Sequence, residues 1–216
     1  MSLLLNNLGL IAFHRGGFAQ SIAYYQEGLA LVRQIGHRGL VCLLISNLGD
    51  MAVVQGDYVQ AEQYIREGIS LAQHLENRTY LTFLLAHLGG AKMRQGNYEQ
   101  ANAAFQGSLD LARSQSSPPH ISKTLVEWGE VHIKFLQLDA ADAAFQEVLI
   151  NGRTHEVDPE TLACALYGQA RVAALRSNIV EATRLGQESA MQFEKIEYYK
   201  AREVREWLLS LSTSAS

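Results

Sequence analysis

The pair Leu-Gly returns at a fixed interval. It stands at Leu8-Gly9, Leu48-Gly49 and Leu88-Gly89, and a bulkier variant, Trp128-Gly129, follows at the same 40-residue spacing. A second signal keeps the same period. Gly17-Phe18, Asp57-Tyr58 and Asn97-Tyr98 each follow a Leu-Gly, and Leu138 takes the aromatic position in the fourth copy. Three residues further come Ser21, Ala61, Ala101 and Ala141. A fifth, weaker copy has Ala170 at the glycine position, Ser177-Asn178-Ile179 at the turn and Ala182 at the close. Its spacing of 41 places a one-residue insertion between His155 and Pro159. Two independent motifs in one register make the chain a repeat array, in which each unit buries its faces against its neighbours.

Each unit contains two helical patterns. In the second copy Leu40, Leu43, Leu44, Leu48, Met51 and Ala52 recur at spacings of three and four. Gly56-Asp57 breaks the pattern, and Tyr58, Ala61, Tyr64, Ile65, Gly68, Ile69 and Ala72 resume it. The unit is therefore helix, short turn, helix. No segment alternates with a two-residue period, so no sheet is expected. Gly49 and Ala61 are placed where the two helices of a hairpin cross, because a larger side chain would push the axes beyond about 8–10 Å. The aromatic at Phe18, Tyr58 or Tyr98 is expected to open the second helix and plug the hairpin end. Gly17, Gly56 and Gly96 are read as turn residues. Asp158-Pro159-Glu160 and Ser117-Pro118-Pro119 read as helix starts, which accounts for all three prolines.

The order Leu-Gly, then Gly-Asp-Tyr, then Ala resembles the tetratricopeptide repeat over about residues 1–196. The 40-residue length is similar to repeats of kinesin light chains and of the sensor domains of MalT-like and other signal-transduction ATPase regulators. The resemblance implies an all-α, α-α superhelix (solenoid) of five helix-turn-helix repeats, at about 1–36, 37–76, 77–116, 117–156 and 157–196. Leu136 in place of the turn glycine, and Gln169 before Ala170, depart from the pattern. The segment 197–211 alternates Val204, Trp207, Leu208 and Leu211 with Arg202, Glu203, Arg205 and Glu206. It reads as a capping helix, with a first helix of a sixth unit as the alternative, and 212–216 as a disordered tail. Met1-Ser2 lies so close to Leu8-Gly9 that the array is expected to continue upstream in a longer protein.

Composition narrows the function. Eighteen basic against 22 acidic residues give a net charge of −4, which lacks the footprint of a nucleic-acid binder. No run of 18 apolar residues predicts a membrane span. Two cysteines, Cys42 and Cys164, fit a reducing, cytoplasmic setting and read as buried thiols. His14, His37, His74, His87, His120, His132 and His155 never pair at i+3 or i+4, so no helical metal site is expected. No nucleotide-binding, hydrolase or zinc motif occurs, so no enzyme, metal or cofactor is expected. Asn77-Arg78-Thr79 is a glycosylation sequon, discounted because nothing indicates secretion.

The resemblance also implies that first helices line a concave groove. Two residues before each glycine stand Asn7, Asn47, His87, Glu127 and Gly168. In kinesin-light-chain-like repeats an Asn here hydrogen-bonds the backbone of an extended peptide, and its amide offers both donor and acceptor. Asn7 and Asn47 match; packing between helices is the other reading. Leu10, Asp50, Glu130 and Arg171 come next along the groove, then Phe13, Val54, Arg94 and Lys134. Cations of a carboxylate clamp are missing, since Leu3, Asn6 and Leu43 stand in their places. The chain is read as a non-enzymatic module that binds a protein or peptide segment, within the regulatory or sensor part of a larger bacterial signalling protein. The alternatives are a small-ligand sensor with a pocket around His87, Glu127, Glu130 and Arg171, and a self-assembly scaffold pairing through terminal helices as a homodimer.

Overall fold

The computed structural model describes residues 1–214, with side chains described through Leu211. Among them are eleven helices and no strand. Contacts gather the helices into two compact units, Met1–Gln115 and Ser116–Ser216.

The first unit holds α1 (Ser2–His14), α2 (Phe18–Gln34), α3 (Arg38–Gln55), α4 (Tyr58–His74), α5 (Arg78–Arg94) and α6 (Tyr98–Ser114). Each helix packs on the next, and α3 also packs on α5, so first helices lie side by side. The second unit holds α7 (Pro118–Lys134), α8 (Leu138–Thr154), α9 (Pro159–Leu175), α10 (Ile179–Lys195) and α11 (Lys200–Ser214). It repeats the arrangement, with α7 on α9 and α11 on α10. The second helix of each hairpin starts on the residue read from the period: Phe18, Tyr58, Tyr98, Leu138 and Ile179.

The recurring glycines are holes for one large side chain. A Cβ on Gly49 would lie 3.0 Å from Ile65 Cγ1, on Gly89 2.8 Å from the Phe105 ring, and on Gly129 2.6 Å from the Phe145 ring. Gly9 receives Tyr25 in the same way. The filler always stands 16 residues later, on the second helix of the same hairpin. A complementary set lies on second helices, where Gly28 receives Leu44 and Gly68 receives Leu84. These interlocks pull Tyr25, Leu29 and Val32 of α2 into one core with Val41, Leu44, Leu48 and Met51 of α3.

Helix ends follow a 20-residue rhythm. Gly56 ends α3 with φ 80°; its N–H donates to Val53 O, and Asp57 N–H donates to Ala52 O. This paired pattern is the Schellman closure, which needs a left-handed residue. It recurs at Gly16, Gly36, Gly96, Leu136, Ser177 and Glu197, all at positive φ. In the first hairpin the left-handed residue is therefore Gly16 and not Gly17, whose φ is −79° as the residue before α2. Leu136 keeps the turn at φ 56°, despite its side chain. After α8 the closure is replaced by extended His155, where the inserted residue was expected.

Side chains of His37, Asp57, Asn77, Asp158 and Asn178 each accept a backbone N–H three residues on. The Asn77 sequon side chain is thus a helix cap. Ser117 departs from its expected role, because its hydroxyl bonds the His120 ring instead. Pro119 removes one of the two amide hydrogens that such a cap engages. The aromatic plugs are partial as well: Tyr98 is 38% exposed.

The C-terminal helix begins at Lys200, three residues later than expected, because Glu197 is left-handed and Tyr198 is buried in the turn. It continues through Ser214, where a disordered tail was expected; residues 215–216 lie outside the described residues. Among the described helices α3 alone is long and apolar enough, by length and composition, to cross a membrane, although Arg38, Asn47 and Asp50 keep it from being an unbroken apolar run. Of that stretch 56% is buried in the first unit, between α2, α4 and α5.

Candidate functional site

First helices lie side by side, so side chains 41 residues apart meet across them. In the first unit Asn47 Nδ2 donates to Asn6 Oδ1 at 2.8 Å, and Ser46 Oγ is 3.4 Å from His87 Nδ1. In the second unit Arg171 Nη1 donates to Glu130 Oε2 at 2.6 Å. The polar links are built from residues of, or next to, the groove positions read from the sequence.

Each candidate has a definite environment. Asn7 is exposed, and its Oδ1 accepts from Asn6 Nδ2 at 3.4 Å. Asn47 is half-buried with its donor directed to Asn6. Its Oδ1 takes no hydrogen bond among the described residues, so one half of the amide is committed to the stack and one half is open. Leu10 is 44% exposed and Arg94 is exposed, while Asp50 and His87 are half-buried. Phe13 packs against Phe18 at 5.9 Å and Val54 lies against the α2–α3 core, so both support the face more than they present a surface.

In the second unit Lys134 is exposed, Glu127 and Glu130 are half-buried, and Arg171 lies 5.4 Å over the Tyr167 ring. Burial alone would lower Arg171, but Glu130 holds it above its ordinary value. Burial pushes the Tyr167 hydroxyl up to about 12. Trp207 meets the same ring edge-on at 5.3 Å. Arg171 is therefore charged and already neutralised by Glu130. Gly168 is no groove residue: it is buried, and the Phe145 ring occupies the place of its side chain.

Sequence reasoning missed Asn6, Ser46 and Tyr167. For Asn6 and Ser46 the signal was the 41-residue offset itself, which pairs each with its neighbour one copy away; for Tyr167 it was the place one helical turn before Arg171. The cysteines sit apart from chemistry. Burial pushes both thiols up to about 11, and Cys42 Sγ donates to Gly68 O at 3.7 Å. Cavities of 390 Å³ and 540 Å³ are lined by other residues, among them Asp142, Gln169 and Arg176, and Arg33, Glu67 and His74. Arg176 is held by Asp139 and Asp142, and Arg33 by Glu67.

Residues 1–74 match the tetratricopeptide repeat family model. No curated protein sequence matches the chain. Among solved structures, a Rap protein complexed with competence and sporulation factor is similar, with a TM-score of 0.69 at 14% identity over 99% of this chain. The match spans 64% of the Rap protein's own length. BtubC (BKLC) from P. vanneervenii is similar with a TM-score of 0.64 at 12% identity, over 90% of this chain and 80% of its own. At these identities the likeness is one of fold.

Proposed function

We propose that this chain is a non-enzymatic repeat module that binds an extended protein or peptide segment along the face of its first helices. The observation that carries the reading is the half-committed amide of Asn47. Its Nδ2 is fixed by Asn6, which orients the open Oδ1 at no further entropic cost. An oriented acceptor suits a peptide N–H whatever the side chain beside it. The resemblance to tetratricopeptide repeats supports the same reading, as does the Rap structure in complex with competence and sporulation factor. By the same analogy the module is the regulatory or sensor part of a larger bacterial signalling protein. A small-ligand sensor built on Arg171 is disfavoured, because Glu130 already pairs with the charge of that guanidinium.

The test is a peptide-array screen followed by titration of the best binder. Asn47→Ala should weaken binding about tenfold, the loss of one hydrogen bond of about 1.4 kcal/mol. Asn6→Ala breaks the same interhelix link but keeps the Asn47 amide, so it should weaken binding less. Equal losses in both variants would make Asn47 a purely structural residue, and unchanged binding in both would remove the proposed contact.

A further inference from the structure

A second helix and the first helix that follows it share a polar niche, and the chain fills that niche differently in its two units. Between α4 and α5, Lys92 Nζ lies 2.7 Å from Glu62 Oε2, and Arg66 holds the other carboxylate oxygen. Gln95 Oε1 is 3.4 Å from the same ammonium. Between α8 and α9 the corresponding positions are Asp142 for Glu62, Ala173 for Lys92 and Arg176 for Gln95. The acid is kept and the lysine is gone. Ala173 instead lines a cavity of 390 Å³, together with Asp142, Gln169, Arg176 and Glu181 and the buried apolar side chains of Val172 and Leu185.

Asp142 is held as Glu62 is held. Its Oδ2 accepts from Arg176 Nη1 at 3.0 Å, as one oxygen of Glu62 accepts from Arg66. Its Oδ1 accepts only from the Gln169 amide among the described residues, at 3.3 Å. That is a long, neutral bond, where a charge-assisted one would be about 2.7–2.9 Å. Arg176 is also shared with Asp139, and Glu181 is paired with Arg184. Three carboxylates therefore face two guanidiniums, which leaves one negative charge uncompensated.

We propose that this cavity binds a primary alkylammonium group, with the ammonium on Asp142 Oδ1 and the alkyl stem against Val172 and Leu185. The chain itself specifies the occupant, because its own Lys92 takes this place between α4 and α5. Arg176 does not close the site to a cation: Glu62 accepts from a guanidinium and an ammonium at once, one on each oxygen. The volume lies within the range of about 300–1,000 Å³ for small-ligand sites. A lysine side chain of a partner protein and a free diamine both carry this chemistry. The site lies in the second unit and is separate from the Asn47 face proposed to bind an extended segment.

The probe is N-acetyl-lysine methylamide, titrated into the isotope-labelled full chain and followed by amide NMR shifts. Saturable shifts should appear at Asp142, Gln169, Ala173 and Asn178, and none at Asn47. The norleucine analogue has the stem without the ammonium and should cause none. Asp142→Asn should weaken binding about tenfold, the loss of one charge-assisted hydrogen bond. Ala173→Lys places the chain's own ammonium in the cavity. It should abolish binding while thermal unfolding stays unchanged or rises, which verifies the fold of that variant. Cadaverine, titrated in parallel, separates the sources: tighter binding than the lysine probe assigns the site to free diamines, and weaker binding assigns it to a lysine side chain. Equal binding by the norleucine analogue, binding that survives both variants, or no saturable shift with either amine would overturn the proposal.

Discussion

Phe145 shows how tightly single residues are fitted. Its ring is fully buried, and it occupies the side-chain space of both Gly129 and Gly168. A Cβ on Gly129 would fall 2.6 Å from a ring that has no room to withdraw. Gly129→Ala therefore gains about 1 kcal/mol of helix propensity but incurs an overpacking cost of about 1–3 kcal/mol. Gly107 is the control. A Cβ there would meet only Leu85 Cδ1, at an ordinary 3.6 Å. Gly107→Ala should raise stability by about 0.5–1 kcal/mol, whereas Gly129→Ala should lower it, as measured by denaturant unfolding. Equal shifts in both would mean that the glycine period reflects nothing about crossing. The Leu-Gly glycines were legible because each copy must solve the same crossing. Gly168 was misread because its partner ring comes from α8, and no spacing within α9 announces it. Leu136 shows the reverse case: the Schellman hydrogen bonds hold the turn even where the sequence offers no glycine.

At the scale of helices, an ion pair joins α4 to α5. Lys92 Nζ lies 2.7 Å from Glu62 Oε2, with their side chains 9% and 22% exposed, and Arg66 bonds the other oxygen. The hydrogen bond from Lys92, then that from Arg66, holds the Glu62 carboxyl below its ordinary 4.5. No other copy repeats this pair: the equivalents of Glu62 and Lys92 one unit earlier are Ile22 and Ala52. That is why the sequence did not reveal it; thirty residues separate two side chains that share no motif. Glu62→Gln leaves a nearly buried ammonium without its counter-ion and should cost about 3 kcal/mol. Replacing both members, as Glu62→Leu with Lys92→Met, should be close to neutral. The sign with pH follows from the lowered carboxyl. Its contribution is complete above pH 4.5 and is lost as pH falls through the lower folded value. Unfolding curves of the parent and Glu62→Gln should therefore converge on acidification. A gap that stays constant down to pH 2 would assign the loss to packing.

Over the whole molecule, the two halves differ in charge. Residues 1–108 carry 7 acids and 7 bases, while residues 109–216 carry 15 acids and 11 bases. Helix count, hairpin order and the extra residue before α9 were all legible from the period, since the same packing problem recurs along the chain. The working face was legible in outline only. The period marks which helix positions share a face, but the commitment of a polar group depends on a neighbour one copy away, as for Asn47 with Asn6 and Arg171 with Glu130. Those commitments divide the two units by chemistry. The first presents Asn7, Leu10 and Asn47, which are uncharged, beside the single charges of Asp50 and Arg94. The second presents Glu127, Glu130, Lys134 and Arg171. A segment held by the Asn47 amide through its backbone meets mostly neutral surface, and salt screens only interactions between charges. Its affinity should change less than about twofold between 50 and 500 mM salt. A segment held on the second unit would meet exposed charges such as Lys134 and lose affinity steeply over the same range. Titration calorimetry of one peptide at the two salt concentrations separates the cases: a steep decline would move the binding face from Met1–Gln115 to Ser116–Ser216 and leave Asn47 with a structural role alone.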